Sequence, residues 1–207
     1  MRVAWKFLAR GAVGPFGGLR WPEPSASGPG AWVRPTPGEV FACRVPDLPW
    51  WLAEELWEVQ LEEPLRQLET QVASSAGRLV RRVEAWDDSA MLDYGIACAH
   101  RARALAVAAL RAEGRTGEAD GLAAAQGIVR IARLAAQLAG EAKIRPAANL
   151  AGYVAESATR ASQGAAAAAA IIAANAAVFA RGNNAAFDLE REWQARWIAQ
   201  RTGLPQP

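Results

Sequence analysis

Two patterns of hydrophobic and polar residues meet near Trp86. Before that residue, short stretches in which apolar and polar side chains alternate are separated by glycine and proline, which is typical of β-strands joined by turns. After it, apolar residues recur every three or four positions, which is typical of helices. The pattern predicts an α+β fold in which a small β-rich region with many Trp, Pro and Gly residues (residues 1–86) precedes an Ala-rich antiparallel helical bundle (residues 87–207). A chain of 207 residues is short for two independent domains, so we expect one compact unit.

The first region contains several predicted strands and one predicted short helix. A proline-, glycine- and serine-rich stretch at 21–30 predicts a surface loop. Asp47 is the predicted cap of a helix over 47–55, with Pro49 in its first turn. Residues 65–83 fit either two strands, at 68–73 and 78–83, or a helix. The other predicted strands lie at 3–8, 31–34, 39–45 and 56–61.

The second region predicts four helices, over 89–113, 118–140, 146–180 and 185–200. Glycines separate the first two, and Pro146 suits the first turn of the third. The third has no charged residue between Arg160 and Arg181, so we expect it to be buried on more than one side.

Charge and hydropathy exclude some partners. The net charge is only +2, from 23 basic and 21 acidic residues that are scattered along the chain, which disfavours nucleic acid and membrane surfaces as partners. The apolar run near the start is too short for a signal peptide, so we expect a cytoplasmic protein. The stretch 165–180 is too short and too mildly hydrophobic to span a membrane.

Histidine and cysteine chemistry has little support in the sequence. His100 is the single histidine, and Asp93, seven residues earlier, lies about 10 Å away along a helix axis, too far for a direct hydrogen bond. Cys98 lies on another face, so no Cys–His dyad is predicted. Cys43 and Cys98 have no metal-binding spacing and are expected to be buried thiols.

A metal site is not predicted either. Asn184, Asp188 and Glu192 share one helix face and are similar in spacing to the second magnesium-binding triad of terpene cyclases. The first aspartate-rich motif of that family has no matching geometry here, because Asp88 and Asp93 lie about 140° apart on a helix. We therefore expect no bound metal and no cofactor.

Nine tryptophans are many for this length, and seven of them precede residue 87. Such a cluster is either the core of a small sheet or a flat surface for a ligand, and both interpretations stay open. Trp50 and Trp51 are the pair most expected to be exposed, because consecutive residues of a helix cannot both face inward.

Several stretches resemble those of uncharacterised actinobacterial proteins of similar length, a family with no known activity. In such relatives a Cys-x-x-Gly-x-His-Ala-Cys pattern often stands where this chain has residues 36–43. Thr36 and Phe41 replace the first cysteine and the histidine, so any metal binding or chemistry of that pattern is expected to be lost here. The similar stretches are Trp5-Lys6-Phe7-Leu8, Gly11-Ala12-Val13-Gly14-Pro15-Phe16, Arg20-Trp21-Pro22, Phe41-Ala42-Cys43-Arg44, Asp47-Leu48-Pro49-Trp50-Trp51-Leu52 and Glu190-Arg191-Glu192-Trp193-Gln194-Ala195-Arg196-Trp197.

Two functional hypotheses follow. The preferred one is a non-catalytic module for protein–protein interaction or self-assembly, most simply a homodimer, because catalytic groups are scarce and Ala-lined helices suit close packing. The alternative is a small-molecule binding protein or an enzyme with a pocket between the β-rich region and the bundle. The residues assigned to the mouth of that pocket are Trp50, Trp51, Asp88, Asp93, Tyr94 and His100.

Overall fold

The fold is α+β, as the sequence predicts. A computed structural model describes residues 2–141 and 146–207. The chain divides into two compact units: Met1–Ala90 with Ala195–Pro207, named here the β unit, and Met91–Gln194, named the helical unit. The strands are β1 (Arg2–Leu8), β2 (Val40–Ala42), β3 (Glu55–Leu61), β4 (Arg66–Gln67), β5 (Val72–Ser74) and β6 (Gly77–Arg82). The helices are α1 (Asp88–Ala112), α2 (Thr116–Ala124), α3 (Ile128–Glu141), α4 (Pro146–Ser162), α5 (Ala166–Arg181) and α6 (Ala185–Thr202).

The β unit contains two three-stranded antiparallel sheets, ordered β1-β3-β6 and β2-β5-β4. A single bridge joins the sheets, because the backbones of Trp5 and Cys43 exchange hydrogen bonds of 2.9 and 2.6 Å. Ala4 and Leu8 of β1 belong to the buried cluster that also contains Trp57 of β3. The other face of β1 is also covered, since Phe7 is buried and its ring centre lies 5.3 Å from that of Trp86.

The predicted strands at 3–8, 39–45 and 56–61 are confirmed, with shifted ends. The strand predicted at 31–34 is wrong: only Val33 pairs, with Gly77, and Pro35 follows closely without a backbone donor. The helical alternative for 65–83 is wrong as well, because β4, β5 and β6 occupy that stretch.

The predicted helix at 47–55 is replaced by a 3₁₀ helix over Val45–Trp50. It begins two residues before Asp47, so the Asp47 carboxylate lies in the first turn and accepts a hydrogen bond from the backbone N–H of Arg44 at 3.2 Å. The strand β3 then starts at Glu55, inside the predicted helix. The short helix is therefore real, but its register and length were predicted wrongly.

In the second region, α1 and α6 match their predicted ranges within two residues. The carboxylate of Asp87 accepts a hydrogen bond from the N–H of Ala90 at 2.7 Å and caps α1. The other two predicted helices are each divided in two, at Gly127 (φ 77°) and Gly164 (φ 74°). Glycine adopts this left-handed conformation without steric cost, so each of these residues suits the break between two helices.

The helical unit is built on small residues. Helix α4 packs against both α3 and α5. Eight buried residues of α5 cover about 200° of its circumference at roughly 100° per residue, so burial on more than one side is confirmed. These residues are Ala166, Ala169, Ala170, Ile172, Ala173, Ala174, Ala176 and Ala177. In the described part of the chain, no helix is long and apolar enough to cross a membrane.

The buried arc of α5 gives a direct test of this packing. Ala173 is 1% exposed near the centre of the arc, whereas Asn175 is exposed on the opposite side. We expect Ala173→Glu to lower the free energy of unfolding by at least about 3 kcal/mol, because it buries an unpaired charge. Asn175→Glu should change it by less than about 0.5 kcal/mol. Denaturant unfolding measures both values, and equal effects of the two substitutions would contradict the packing described.

Candidate functional site

A cavity of about 310 Å³ opens into the β unit, and five of its 14 lining residues are aromatic. We name it the aromatic cavity. Its lining consists of Lys6, Phe7, Gly14, Pro15, Phe16, Gly17, Leu19, Trp21, Glu39, Val40, Phe41, Cys43, Trp51 and Gln71. Apolar walls with a few polar groups are typical of ligand-binding pockets.

Four of these side chains, Lys6, Phe16, Phe41 and Trp51, come from four different segments of the β unit. Strand β1 contributes Lys6, the turn at residues 14–19 contributes Phe16, and β2 contributes Phe41. Trp51 follows the 3₁₀ helix, and its indole N–H donates to the carbonyl oxygen of Thr70 at 2.9 Å. The ring of Phe16, which is 85% exposed, meets the edge of Trp51 at a centroid distance of 6.0 Å. Phe16 therefore forms the outer rim, while Trp51 is a wall held in place by its hydrogen bond.

Lys6 is the one amine in this lining. Its Nζ donates to the carbonyl oxygen of Phe41 at 2.6 Å and lies 5.3 Å from the ring centre of Trp21. Among residues 2–141 and 146–207, no carboxylate pairs with it. Burial lowers the pKa of Lys6, and the Cys43 thiol opposes this only in part. The cavity therefore contains an amine whose proton is held less firmly than that of an ordinary lysine.

The other ionisable groups of the lining are less available. Burial raises the pKa of Cys43 to about 12, so its thiol is neutral at physiological pH and a poor nucleophile. The carboxylate of Glu39 is bound by the guanidinium of Arg66, and this hydrogen bond lowers the pKa of Glu39. Of the ionisable groups in this lining, Lys6 thus remains the most available to a ligand.

The six residues expected at a pocket mouth are divided between the two units. Trp51 lines the aromatic cavity, and Trp50 beside it is 42% exposed and outside the lining. Asp88 lies at a different place in the β unit, where both of its carboxylate oxygens accept hydrogen bonds from Arg10 at 2.8 Å. The two tryptophans therefore differ: Trp51 belongs to the cavity lining, and Trp50 is partly exposed to solvent.

The remaining three lie on α1, in the helical unit. Asp93 is exposed and Tyr94 is fully buried. Burial raises the pKa of Tyr94, and the neighbouring Cys98 adds to this. His100 is exposed, and its pKa is lowered first by partial desolvation and then by Arg103. These three side chains therefore differ in exposure, although they lie on the same helix.

A second, polar cavity of about 320 Å³ contains Asp88. Its lining consists of Arg10, Glu54, Glu55, Arg82, Asp87, Asp88 and Ser89. Glu55 is buried and accepts hydrogen bonds from the N–H groups of Gly11 and Ala12 at 3.1 Å and from the Trp57 indole at 3.0 Å. Burial favours a higher pKa for Glu55, but these donors and the charge of Arg82 outweigh it and lower the pKa. Glu55 therefore stabilises the turn after β1.

Three of the four carboxylates of this polar cavity have structural partners. Asp88 pairs with Arg10, Asp87 caps α1, and Glu55 holds backbone N–H groups. Asn184 precedes α6, Asp188 and Glu192 lie on it, and all three side chains are exposed. Within the ranges that the structure describes, no group of three or more His, Cys, Asp and Glu side chains could hold a metal ion.

The helical unit contains a buried polar network. The Nε of Arg101 donates to both carboxylate oxygens of Glu190 at 2.7 and 2.8 Å, and the Arg101 guanidinium lies 4.3 Å from the ring centre of Trp193. Gln194, which is 0% exposed, accepts from Arg191 at 2.8 Å and donates to the Ala170 carbonyl at 3.0 Å. These bonds connect α1, α5 and α6, so the network orients helices.

Three of the tryptophans, Trp21, Trp57 and Trp86, are buried as core residues, at 3%, 4% and 0% exposure. Trp21 also lines the aromatic cavity together with Trp51. Burial shows that these three rings are core residues, and Trp21 and Trp51 also belong to the cavity lining.

Sequence reasoning missed Lys6. The signal was present, because Ala4, Lys6 and Leu8 alternate along a strand and a charged residue on an apolar face needs an explanation. Lysine is also rare here, since Lys143 is the only other one in the sequence.

Comparison of the chain with protein-family models, with curated protein sequences and with solved structures finds no match. The candidate site therefore rests on its own geometry.

Lys6 gives a pH-dependent prediction. The pKa of Lys6 is lowered in the folded protein from the ordinary value of 10.5. At pH values between these two, Lys6 is protonated in the unfolded chain and mostly neutral in the folded chain. Raising the pH through this window therefore stabilises the native protein. We expect the free energy of unfolding of the native sequence to rise relative to that of Lys6→Met as the pH approaches 10.5. Denaturant unfolding at several pH values measures this difference. Other titrating groups are common to both proteins and cancel, so parallel curves would show that Lys6 has an ordinary pKa.

Proposed function

We propose that the β unit binds a small, flat, mostly apolar molecule in the aromatic cavity, with one polar atom of the ligand at Lys6 Nζ. The observation that carries this proposal is the combination of aromatic walls with a single amine that has no carboxylate partner among the described residues. Burying an amine costs free energy unless a partner compensates for it. A ligand with an acceptor oxygen would add such a partner.

The size and lining of the cavity narrow the class of ligand. A volume of about 310 Å³ is at the lower end of the range of about 300–1,000 Å³ for small-molecule pockets. One or two fused rings would fit, whereas a dinucleotide would not. Trp21 and Trp51 belong to the lining, and aromatic rings contact a flat ligand at little cost in conformational entropy.

A matched pair of substitutions tests the proposal. Trp51 lines the cavity and Trp50, its neighbour in sequence, does not. We expect a fused-ring probe, 2-naphthalenemethanol, to bind the full chain in isothermal titration calorimetry. Trp51→Leu should weaken binding by roughly tenfold, or about 1.4 kcal/mol, through loss of ring contact.

Trp50→Leu is the control, and we expect it to leave the dissociation constant unchanged within about twofold. Both variants must keep the melting temperature of the native protein within a few degrees for the comparison to hold. Equal weakening by both substitutions, or no binding by the native chain, would contradict the proposal.

Self-association through the helical unit is a second candidate function. The observation that favours it is a set of large apolar side chains in that unit that remain exposed, namely Val129 at 59%, Leu189 at 49% and Phe179 at 40%. A contact with another chain would remove these side chains from water, which is favourable. A second copy of this chain is the simplest occupant, since most oligomers are symmetric dimers.

Light scattering tests self-association. A dimer should show a mass near twice 22.0 kDa that decreases on dilution. Phe179→Ser should shift the equilibrium toward the monomer by about 1 kcal/mol or more, because it removes exposed aromatic surface. A constant mass of one chain at all concentrations would exclude this candidate.

A further inference from the structure

We propose that Lys6 reacts reversibly with an aromatic or conjugated aldehyde in the aromatic cavity and forms an imine. This inference rests on the proposed function, because the aldehyde must first bind between the rings. It goes further in naming the chemical class of the ligand and the bond that it forms.

The first support is the position of the amine. Lys6 belongs to the cavity lining, and its Nζ lies 5.3 Å from the ring centre of Trp21, another lining residue. An aldehyde whose ring occupies the space between Trp21 and Trp51 would therefore lie beside Nζ. Confinement of this kind raises the effective concentration of the carbonyl at the amine.

The second support is the set of neighbours around Nζ. Its hydrogen-bond partner in the described structure is the carbonyl oxygen of Phe41, which accepts one N–H but contributes no full negative charge. Cys43 is a neutral thiol near physiological pH, and the carboxylate of Glu39 is engaged by Arg66. The charged groups near Nζ thus do little to favour the ammonium form of Lys6, and burial disfavours that form. The neutral amine is the form that attacks a carbonyl.

The reaction needs no further reagent. The nitrogen lone pair of Lys6 attacks the carbonyl carbon, and the carbonyl oxygen takes a proton to give a carbinolamine. The nitrogen lone pair then expels this oxygen as water, and the C=N bond forms. The two hydrogens lost from nitrogen leave in that water, so amine plus aldehyde gives imine plus water without change of oxidation state. A protonated imine would also be stabilised by the face of Trp21.

The chain offers a built-in comparison, because Lys6 and Lys143 are its only two lysines. The full-length protein is incubated near pH 7 with 2-naphthaldehyde and cyanoborohydride, which reduces an imine to a stable secondary amine. Each adduct adds the mass of the aldehyde less one oxygen. Peptide mapping by mass spectrometry then gives the rate of modification at each lysine.

We expect Lys6 to be modified at least about tenfold faster than Lys143, since binding holds the aldehyde beside it. Trp51→Leu should slow the reaction at Lys6 and leave the rate at Lys143 unchanged, whereas Trp50→Leu should change neither. Lys6→Arg, which keeps a cation but cannot form an imine, should lose the fast adduct. The melting temperature of each variant checks that it folds.

Equal rates at the two lysines, or a faster rate at Lys143, would overturn the imine inference. The binding of 2-naphthalenemethanol, which has no carbonyl group, separates this result from failure of the proposed function. If the alcohol binds and Lys6 shows no preferential adduct, only the imine inference is wrong. If neither the alcohol nor the aldehyde occupies the cavity, both proposals are wrong.

Discussion

The antiparallel pairing of β1 with β3 is the constraint on which the β unit depends. It places Lys6 opposite Trp57 and Ala4 opposite Val59. Because side chains alternate between the two faces of a strand, this register sends Ala4 and Leu8 into the buried cluster. A slip by one residue would exchange them for Trp5 and Phe7. Because Lys6 stands between Ala4 and Leu8 in this alternation, its side chain lies on the same face of β1 as these buried residues.

Both faces of β1 pack against other parts of the β unit, and this explains how a small unit can hold the walls of a cavity in place. Phe7 packs against Trp86 on one face, and the backbone of Trp5 joins the second sheet through Cys43. Neighbouring polar groups are satisfied within the unit, as Glu55 illustrates by accepting two backbone N–H groups and one indole N–H. The walls of the aromatic cavity are therefore held by strand pairing and hydrogen bonds, which suits a preformed pocket.

The helical unit follows a different principle. Small residues allow close approach of α4 and α5, while a few buried polar side chains, such as Gln194 and Ser157, bond to backbone carbonyls of α5. The carboxylate of Glu190 is buried with Arg101 as its partner. Burying such polar groups costs free energy unless they have hydrogen-bond partners. They therefore favour the one arrangement of the helices that provides those partners.

The sequence alone determined the α+β fold, the change of pattern near Trp86 and the helices α1 and α6, because hydrophobic periodicity and the Asp87 cap are local signals. The helix breaks at Gly127 and Gly164 were missed, since glycine is tolerated inside a helix and only packing decides whether it becomes a turn. The strands β5 and β6 depended on partners more distant in sequence, since β5 pairs with β2 and β6 pairs with β3. The aromatic cavity was decided by tertiary structure alone, because Lys6, Phe16, Phe41 and Trp51 come from four separate segments. A local sequence pattern does not indicate which segments of the chain a sheet brings together.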